Sequence, residues 1–348
     1  MKIEAGKYDI IIERGAVSHV GTYAREAVKP SSAVLVSDSN VYPLYGETVL
    51  ESLREAGFHV SGVFVFPSGE KSKNWNLLGQ MVEHFASSHL TRTDTVFALG
   101  GGVTGDMAGF ASAVYLRGIR YIGIPTSLLA SVDSSVGGKT AVDLTFGKNL
   151  VGAFHEPSMV ICDPDVLSTL PTEYYADGMA EVIKTGLLGN RELWNKLTDG
   201  APVDELISLC VRDKRDICSR DLYDNGERQK LNLGHTIGHA IEAKSGFTIH
   251  HGHAVGSGLH AITKAAAARN LCSADLLREL DEILTRYGLD PYLFDKFTPE
   301  ELTEAALHDK KTRGAEITLI VPREIGLSEL CKIPTDELGS WIKDGCSR

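Results

Sequence analysis

A chain of 348 residues has room for two ordinary domains. Its 43% hydrophobic and 23% charged residues are the composition of a folded globular protein. Lys and Arg number 35 and Asp and Glu 46, a formal charge of −11. That balance speaks against generic binding to nucleic acid or to an anionic membrane, and it confines any phosphate site to a local basic cluster.

Strand-like and helical stretches alternate through the first half. Residues 33–37 (AVLVS), 62–66 (GVFVF), 95–99 (TVFAL) and 120–124 (RYIGI) read as strands, and 44–56 and 75–85 carry apolar residues at helical spacing. This order predicts an α/β domain, a parallel sheet covered on both faces. After about Pro164 the apolar spacing becomes three and four, and only 316–321 (EITLIV) reads as a strand. Leu276, Leu280, Ile283, Leu284 and Tyr287 form one stripe closed by Gly288, and Thr298-Pro299-Glu300-Glu301 has the form of a helix start. The expected division is an α/β domain over 1–163 and a mainly α-helical domain over 164–348. No apolar run reaches the roughly 18–20 residues of a membrane helix. The start, MKIEAGKYDI, lacks a signal peptide's apolar core, and the six Cys form no CxxC pair. Reduced thiols in the cytoplasm are therefore expected.

Four features carry candidate chemistry. Gly100, Gly102 and Gly105 fit GxGxxG between a strand and a small-residue helix, where backbone amides can approach a pyrophosphate. The turn lies deep in the domain and no acid follows about 20 residues on. Asp38 ends an earlier strand and is either a ribose ligand or an Asx-turn residue. DSSVGGKT (133–140) is no P-loop, because Asp133 stands where the first Gly belongs. Six of the twelve His lie between His235 and His260, with His235 and His239 four apart on one helix face. Two or three imidazoles with a carboxylate make an open zinc site, and the pattern is not HExxH. The carboxylate candidate is Glu181, three residues before Lys184 on an otherwise apolar helix; the alternative is a surface ion pair. Lys214 occupies a core position of the stripe Val203, Ile207, Cys210, Lys214, Ile217. It is either an interior cation or a snorkelling stem. Arg228, Asn232 and the Lys310-Lys311 pair are further candidates, each open to a surface reading.

Six ordered motifs resemble the 3-dehydroquinate synthase family, a branch of the sugar-phosphate cyclases. They are GGGVTGDMAGFASAVYLRGI, IPTSLLASVDSSVGGKTAVDLTFGKNLVGAF, GMAEVIKTGLL, LNLGHTIGHAIE, HHGHAV and DKKTRG. The resemblance runs from Asp38 to about Gly326, nearly the whole chain. The resemblance implies an N-terminal Rossmann-like domain and a C-terminal helical domain with the active site in the cleft between them, a homodimer, NAD and one divalent zinc or cobalt ion. It implies conversion of 3-deoxy-D-arabino-heptulosonate 7-phosphate to 3-dehydroquinate and phosphate, a phosphorus–oxygen lyase reaction of the shikimate pathway. Metal ligands carry over to Glu181, His235 and His251, with His239 a neighbouring site residue. Substrate contacts carry over to Arg117, Asp133, Lys139, Asn149, Lys184, Lys214, Arg228, Asn232 and Lys311. NAD contacts carry over to Asp38, Asn40, Glu70, Lys73, Gly101, Gly102, Val103, Asp106, Thr126, Ser127 and Lys148. Two positions depart from the pattern. His253 replaces the Glu of HGE, and Ser127 replaces a second Thr.

Three other readings compete with this one: another cyclase such as a 2-deoxy-scyllo-inosose synthase, a metal-dependent polyol dehydrogenase, and a non-catalytic ligand-binding relative. The dehydrogenase would release an oxidised product with stoichiometric NADH. A degenerate copy would tend to lose part of the metal triad or its lysines.

Overall fold

The computed structural model describes residues 1–224, 226–309 and 315–347. The chain divides into two compact units, Met1–Leu170 and Pro171–Arg348.

The first unit is built on a seven-stranded sheet. Its strands are β1 (Lys2–Ala5), β2 (Tyr8–Ile12), β3 (Ser32–Asp38), β4 (His59–Phe66), β5 (Thr95–Gly100), β6 (Arg120–Pro125) and, after a hairpin of β7 (Lys139–Leu144) and β8 (Gly147–Phe154), β9 (Met159–Cys162). The order across the sheet is β1-β2-β9-β6-β5-β3-β4, with β1 alone antiparallel to its neighbour. Every residue of β5 is buried and so are the last six of β3, as expected for central parallel strands covered on both faces. Side chains alternate between two cores. Ala33, Leu35, Phe97 and Ile122 pack under α1 (Val20–Ala27) and α2 (Tyr42–Glu55). Val34, Val36, Val96 and Ala98 pack under α3 (Trp75–Ser87) and α4 (Gly102–Val114).

All four strands read from the sequence are present. The sequence reading missed β1, β2 and β9, which are only four or five residues long, and the β7–β8 hairpin. The hairpin's exposed Leu144, Phe146, Leu150 and Phe154 give it no clean apolar/polar alternation. From β3 the chain first goes outward to β4 and then back across β3 to β5. The carboxyl ends of β3 and β5 therefore flank a topological switch point, where open α/β sheets bind ligands.

The second unit is helical: α5 (Thr172–Gly189), α6 (Arg191–Thr198), α7 (Val203–Arg220), α8 (His235–Lys244), α9 (His251–Ala268), α10 (Ala274–Arg286), α11 (Pro299–Asp309) and α12 (Leu338–Cys346). Helix α9 packs against α5, α8, α10 and α12. Its small residues make this possible, with Ala254, Ala261, Ala265 and Ala266 fully buried. The predicted α10 stripe is buried at Leu276, Leu280, Ile283 and Leu284.

Thr298 and Glu301 form a reciprocal capping box at the start of α11. The Glu301 amide donates to the Thr298 hydroxyl (3.2 Å), and the Thr298 amide donates to the Glu301 carboxylate (2.8 Å). One correction concerns strands. The single expected strand is half of a hairpin, β10 (Glu316–Glu324) paired antiparallel with β11 (Leu327–Pro334). In β11 the alternating charged and apolar residues of LSELCKIP leave only two residues buried, too little for a strand signal.

Candidate active site

Helices α5, α8 and α9 converge on three side chains. Glu181 lies in mid-α5, His235 opens α8 and His251 opens α9. The α8–α9 crossing is close because the facing residues are glycines. A Cβ on Gly258 would lie 2.1 Å from the Gly234 carbonyl oxygen. Gly234, at φ +78°, makes the left-handed turn from which α8 starts.

Glu181 is 1% exposed, and its Oε1 lies 3.5 Å from both His235 Nε2 and His251 Nε2. The other nitrogen of each ring is occupied. His235 Nδ1–H donates to the Leu233 carbonyl (3.1 Å), and His251 Nδ1–H donates to the Glu242 carboxylate (3.0 Å). These bonds orient both rings with Nε2 toward Glu181, the arrangement that supports metal-ligating imidazoles. Among the described residues no hydrogen-bond donor of ordinary geometry reaches either Glu181 oxygen, although the Lys184 ammonium is ion-paired with Oε2. A buried carboxylate with open acceptor capacity, facing two imidazole nitrogens, fits a divalent cation. One donor atom from each of the three residues lies within 4.8 Å of the others. Among the described residues a second such group, His239, Glu242 and His251, shares His251. There Glu242 serves as the orienting acceptor, and the His239 ring stands 5.3 Å from that of His235.

Protonation follows from the same geometry. Burial works to raise the Glu181 pKa, but the Lys184 ammonium and the two imidazoles outweigh it and hold the carboxyl well below its usual range. Burial and then the Lys184 ammonium push His235 down to about 3, so it is a neutral imidazole. Burial pulls His251 down too, but the Glu181 carboxylate at 3.5 Å and the hydrogen bond to Glu242 prevail and lift it to about 10.

The basic candidates on helices are interior groups. Lys184 is 2% exposed, Arg228 2% and Lys214 9%, so neither a surface pair nor a snorkelling stem describes them. Arg228 sits in the 3-10 turn Glu227–Asn232, which also carries Asn232 and packs on α5 and α7. Its guanidinium donates to the Leu222 carbonyl (2.7 Å). Lys310 and Lys311 lie outside the described residues. The sequence reading missed Glu242 and the Leu233 carbonyl. Glu242 was legible, since it follows His239 by three on α8; a carbonyl partner has no sequence signal.

In the first unit, Asp38 ends β3 and its Oδ1 accepts from the Asn40 and Val41 amides (2.9 and 3.1 Å), an Asx-turn. Its Oδ2 accepts from the Thr104 hydroxyl (3.2 Å), a residue the sequence reading did not single out. Gly101 caps α4, and Gly102 and Val103 lie in the first turn. Thr126 donates its amide to the Gly100 carbonyl (3.0 Å), which sets Thr126 and Ser127 beside that turn. A Cβ on Gly105 would meet nothing within 4 Å, so the motif's third glycine answers no packing contact here.

The buried Lys73 ammonium joins Asp106 Oδ2 (2.5 Å) to Asn149 Oδ1 (2.6 Å). Lys148 faces Glu70 at 3.5 Å. Asn149 holds φ +55° while its amide donates to Asp143 (2.8 Å). Asp133 lies in the helical turn Ala130–Ser134, Lys139 opens β7 with its side chain exposed, and Arg117 is exposed at φ +68° just after α4.

Comparison with known proteins decides the family. Residues 63–177 match 3-dehydroquinate synthase N-terminal and residues 178–312 match 3-dehydroquinate synthase C-terminal. The chain is 42% identical to a 3-dehydroquinate synthase of Streptococcus suis over 345 residues, covering 97% of each chain. The chain belongs to the 3-dehydroquinate synthase family. A crystal structure of 2-deoxy-scyllo-inosose synthase, complexed with carbaglucose-6-phosphate, NAD+ and Co2+, aligns at TM-score 0.86 and 25% identity over 99% of both chains. A 2-epi-5-epi-valiolone synthase from Streptomyces hygroscopicus, with NAD+ and Zn2+ bound, aligns at TM-score 0.88 and 23% identity, covering 99% of this chain and 98% of that one, and shows the shared fold. No helix among the described residues is long and apolar enough to cross a membrane.

Proposed function

We propose that this chain converts 3-deoxy-D-arabino-heptulosonate 7-phosphate to 3-dehydroquinate and phosphate. The observation that carries the reading is the Glu181 carboxylate facing two Nε2 atoms whose rings are locked through Nδ1. Family membership supplies the substrate class, and 42% identity to a 3-dehydroquinate synthase against 25% to a 2-deoxy-scyllo-inosose synthase favours this member of the superfamily. When bound, NAD supplies a hydride acceptor that is regenerated in each turnover, and a divalent zinc or cobalt ion polarises the hydroxyl that is oxidised. The overall conversion is redox-neutral.

The chain's residues then have separate tasks. Glu181, His235 and His251 hold the ion, and Glu242 and the Leu233 carbonyl hold the rings. Lys184, Lys214, Arg228, Asn232 and Lys311, with Arg117, Asp133, Lys139 and Asn149, bind and orient the substrate's phosphate and carboxylate. The buried Lys184, Lys214 and Arg228 of the second unit set positive charge in a chain of −11 and favour a doubly anionic sugar acid. A positioned substrate phosphate can accept the proton whose loss precedes elimination, leaving the protein to hold the geometry. Asp38, Asn40, Glu70, Lys73, Gly101, Gly102, Val103, Asp106, Thr126, Ser127 and Lys148 hold NAD at the sheet's switch point. The protein works as a cytoplasmic homodimer, a state that sedimentation tests directly.

The deciding experiment supplies the purified protein with NAD, zinc or cobalt, and heptulosonate phosphate. One phosphate should appear per substrate consumed, with no net NADH, and a chelator should stop the reaction. Accumulating NADH would instead favour the dehydrogenase reading.

A further inference from the structure

Helix α5 carries a third buried charge on the face of Glu181. Asp177 precedes Glu181 by four residues and Lys184 by seven, so the three share one helical stripe. Asp177 is 7% exposed and points at the start of α9. Its Oδ1 accepts from the Gly252 amide (2.5 Å) and the His253 amide (3.1 Å). The residue in the N-cap position of α9, His250, makes no capping bond through its own side chain. The cap of this 18-residue helix is thus supplied by another helix. The approach is as close as backbone allows, since a Cβ on Gly252 would lie 2.0 Å from the Asp177 carbonyl oxygen. Residue 251, directly before the two amides that Asp177 holds, is the His whose Nε2 faces Glu181 at 3.5 Å.

We infer that Asp177 is a positioning residue for the metal centre: by gripping the first turn of α9 from one turn before Glu181, it fixes the distance between the Glu181 carboxylate and the His251 imidazole. Two ligands on different helices are set as one rigid piece because one helix supplies both a ligand and the other ligand's anchor. Orienting groups behind metal ligands are worth roughly 10–100-fold in metal affinity. This inference rests on Glu181, His235 and His251 being ligands.

The test titrates cobalt(II) into the metal-free full-length protein and follows the ligand-field absorption. Asp177→Ala should bind cobalt roughly 10–100-fold more weakly, with altered bands. Asp177→Asn keeps an oxygen that accepts the same two amide protons, so its affinity should stay within about threefold. Ser273→Ala is the control. It removes an ordinary cap, the Ser273 hydroxyl on the Leu276 amide of α10, and should lower the melting temperature while leaving cobalt affinity unchanged. Wild-type affinity in Asp177→Ala overturns the inference, as does equal weakening in Ser273→Ala. If Asp177→Ala fails to fold, Asp177→Asn decides, because a large loss there would mean that charge and not the cap matters. Failure of the wild type to bind cobalt at all would overturn the ligand assignment itself, a separate outcome.

Discussion

The two units present their candidate groups in opposite ways. In the Rossmann-like unit, the turn after β5 offers backbone amides at a helix start, and the nearby charges are already engaged: Asp38 with its own turn and Thr104, Lys73 with Asp106 and Asn149. In the helical unit, Glu181, Lys184, Lys214 and Arg228 are side chains buried on helices or a helical turn. A nucleotide turn works through backbone that almost any small residue supplies, so its sequence signal is generic. A metal and anion site built from helices must put charge where the apolar period predicts core, and burying charge is so costly that such a break in the pattern has few bland explanations.

The sharpest way to break this contrast is to remove the buried carboxylate's charge. Glu181→Gln keeps the shape, removes the carboxylate charge that faces the buried Lys184 ammonium, and takes away a proposed metal ligand. Zinc content after dialysis, read by elemental analysis, should fall to near zero and turnover with it. The metal-free fold should lose on the order of 3–5 kcal/mol, as for a buried ion pair deprived of one partner. His251→Ala should likewise strip the metal and abolish turnover. Normal zinc content in either variant would show that the ligand set is wrong.

Lys214→Ala comes next. A charge-assisted contact to phosphate or carboxylate is worth about 1.5–3 kcal/mol. Substrate affinity should therefore fall roughly 10–150-fold, while NAD affinity, measured by fluorescence titration, stays nearly constant. Lost NAD binding with normal substrate affinity would reverse the assignment of the two units.

How far the sequence could be read follows the same division. The four longer parallel strands were legible as apolar, β-branched runs, and α10 as a stripe of helical period; in α7 the stripe is buried at Ile207, Cys210 and Lys214. The short strands β1, β2 and β9 were not, for their four or five residues carry too few alternations. Lys214 was legible as a charge on a core position, and Glu181 and Lys184 as the polar pair on an apolar helix. Asp177, on that same stripe, was overlooked because its function is to bond backbone amides of α9, a helix about 75 residues away, and no local pattern announces such a partner. The proposed metal triad became specific only through the family resemblance, since spacing alone left six clustered His unresolved.

A smaller effect sharpens the metal side. His235, held at about 3, is already neutral at pH 7, whereas His251, lifted to about 10, carries a proton that a metal must displace. Zinc affinity should rise about tenfold per pH unit between pH 6.5 and 8.5, and calorimetry in buffers of different ionisation enthalpy should report one proton released. The metal-free fold runs the other way. A folded pKa above the ordinary 6.5 gives stability that is full below 6.5 and lost as pH rises through about 10. A slope of two protons would mean that His235 also has to be deprotonated, against the effect of its burial beside Lys184.

The smallest expected change tests whether the metal centre is insulated from ordinary helix stability. Thr298→Ala removes the capping box of α11, whose Thr298 and Glu301 each satisfy a backbone amide of the other. Loss of such a cap costs about 1 kcal/mol. In the second unit this should appear as a modest fall in melting temperature, with zinc affinity and the cobalt spectrum unchanged. None of the three proposed ligands lies on α11, and their spacing is set by α5, α8 and α9. If Thr298→Ala weakened zinc as much as it weakened the fold, the centre would depend on the stability of the whole helical unit and not on the local grip among those three helices. The contrast between a side-chain site fixed by a few buried groups and a backbone site fixed by a sheet would then lose its basis.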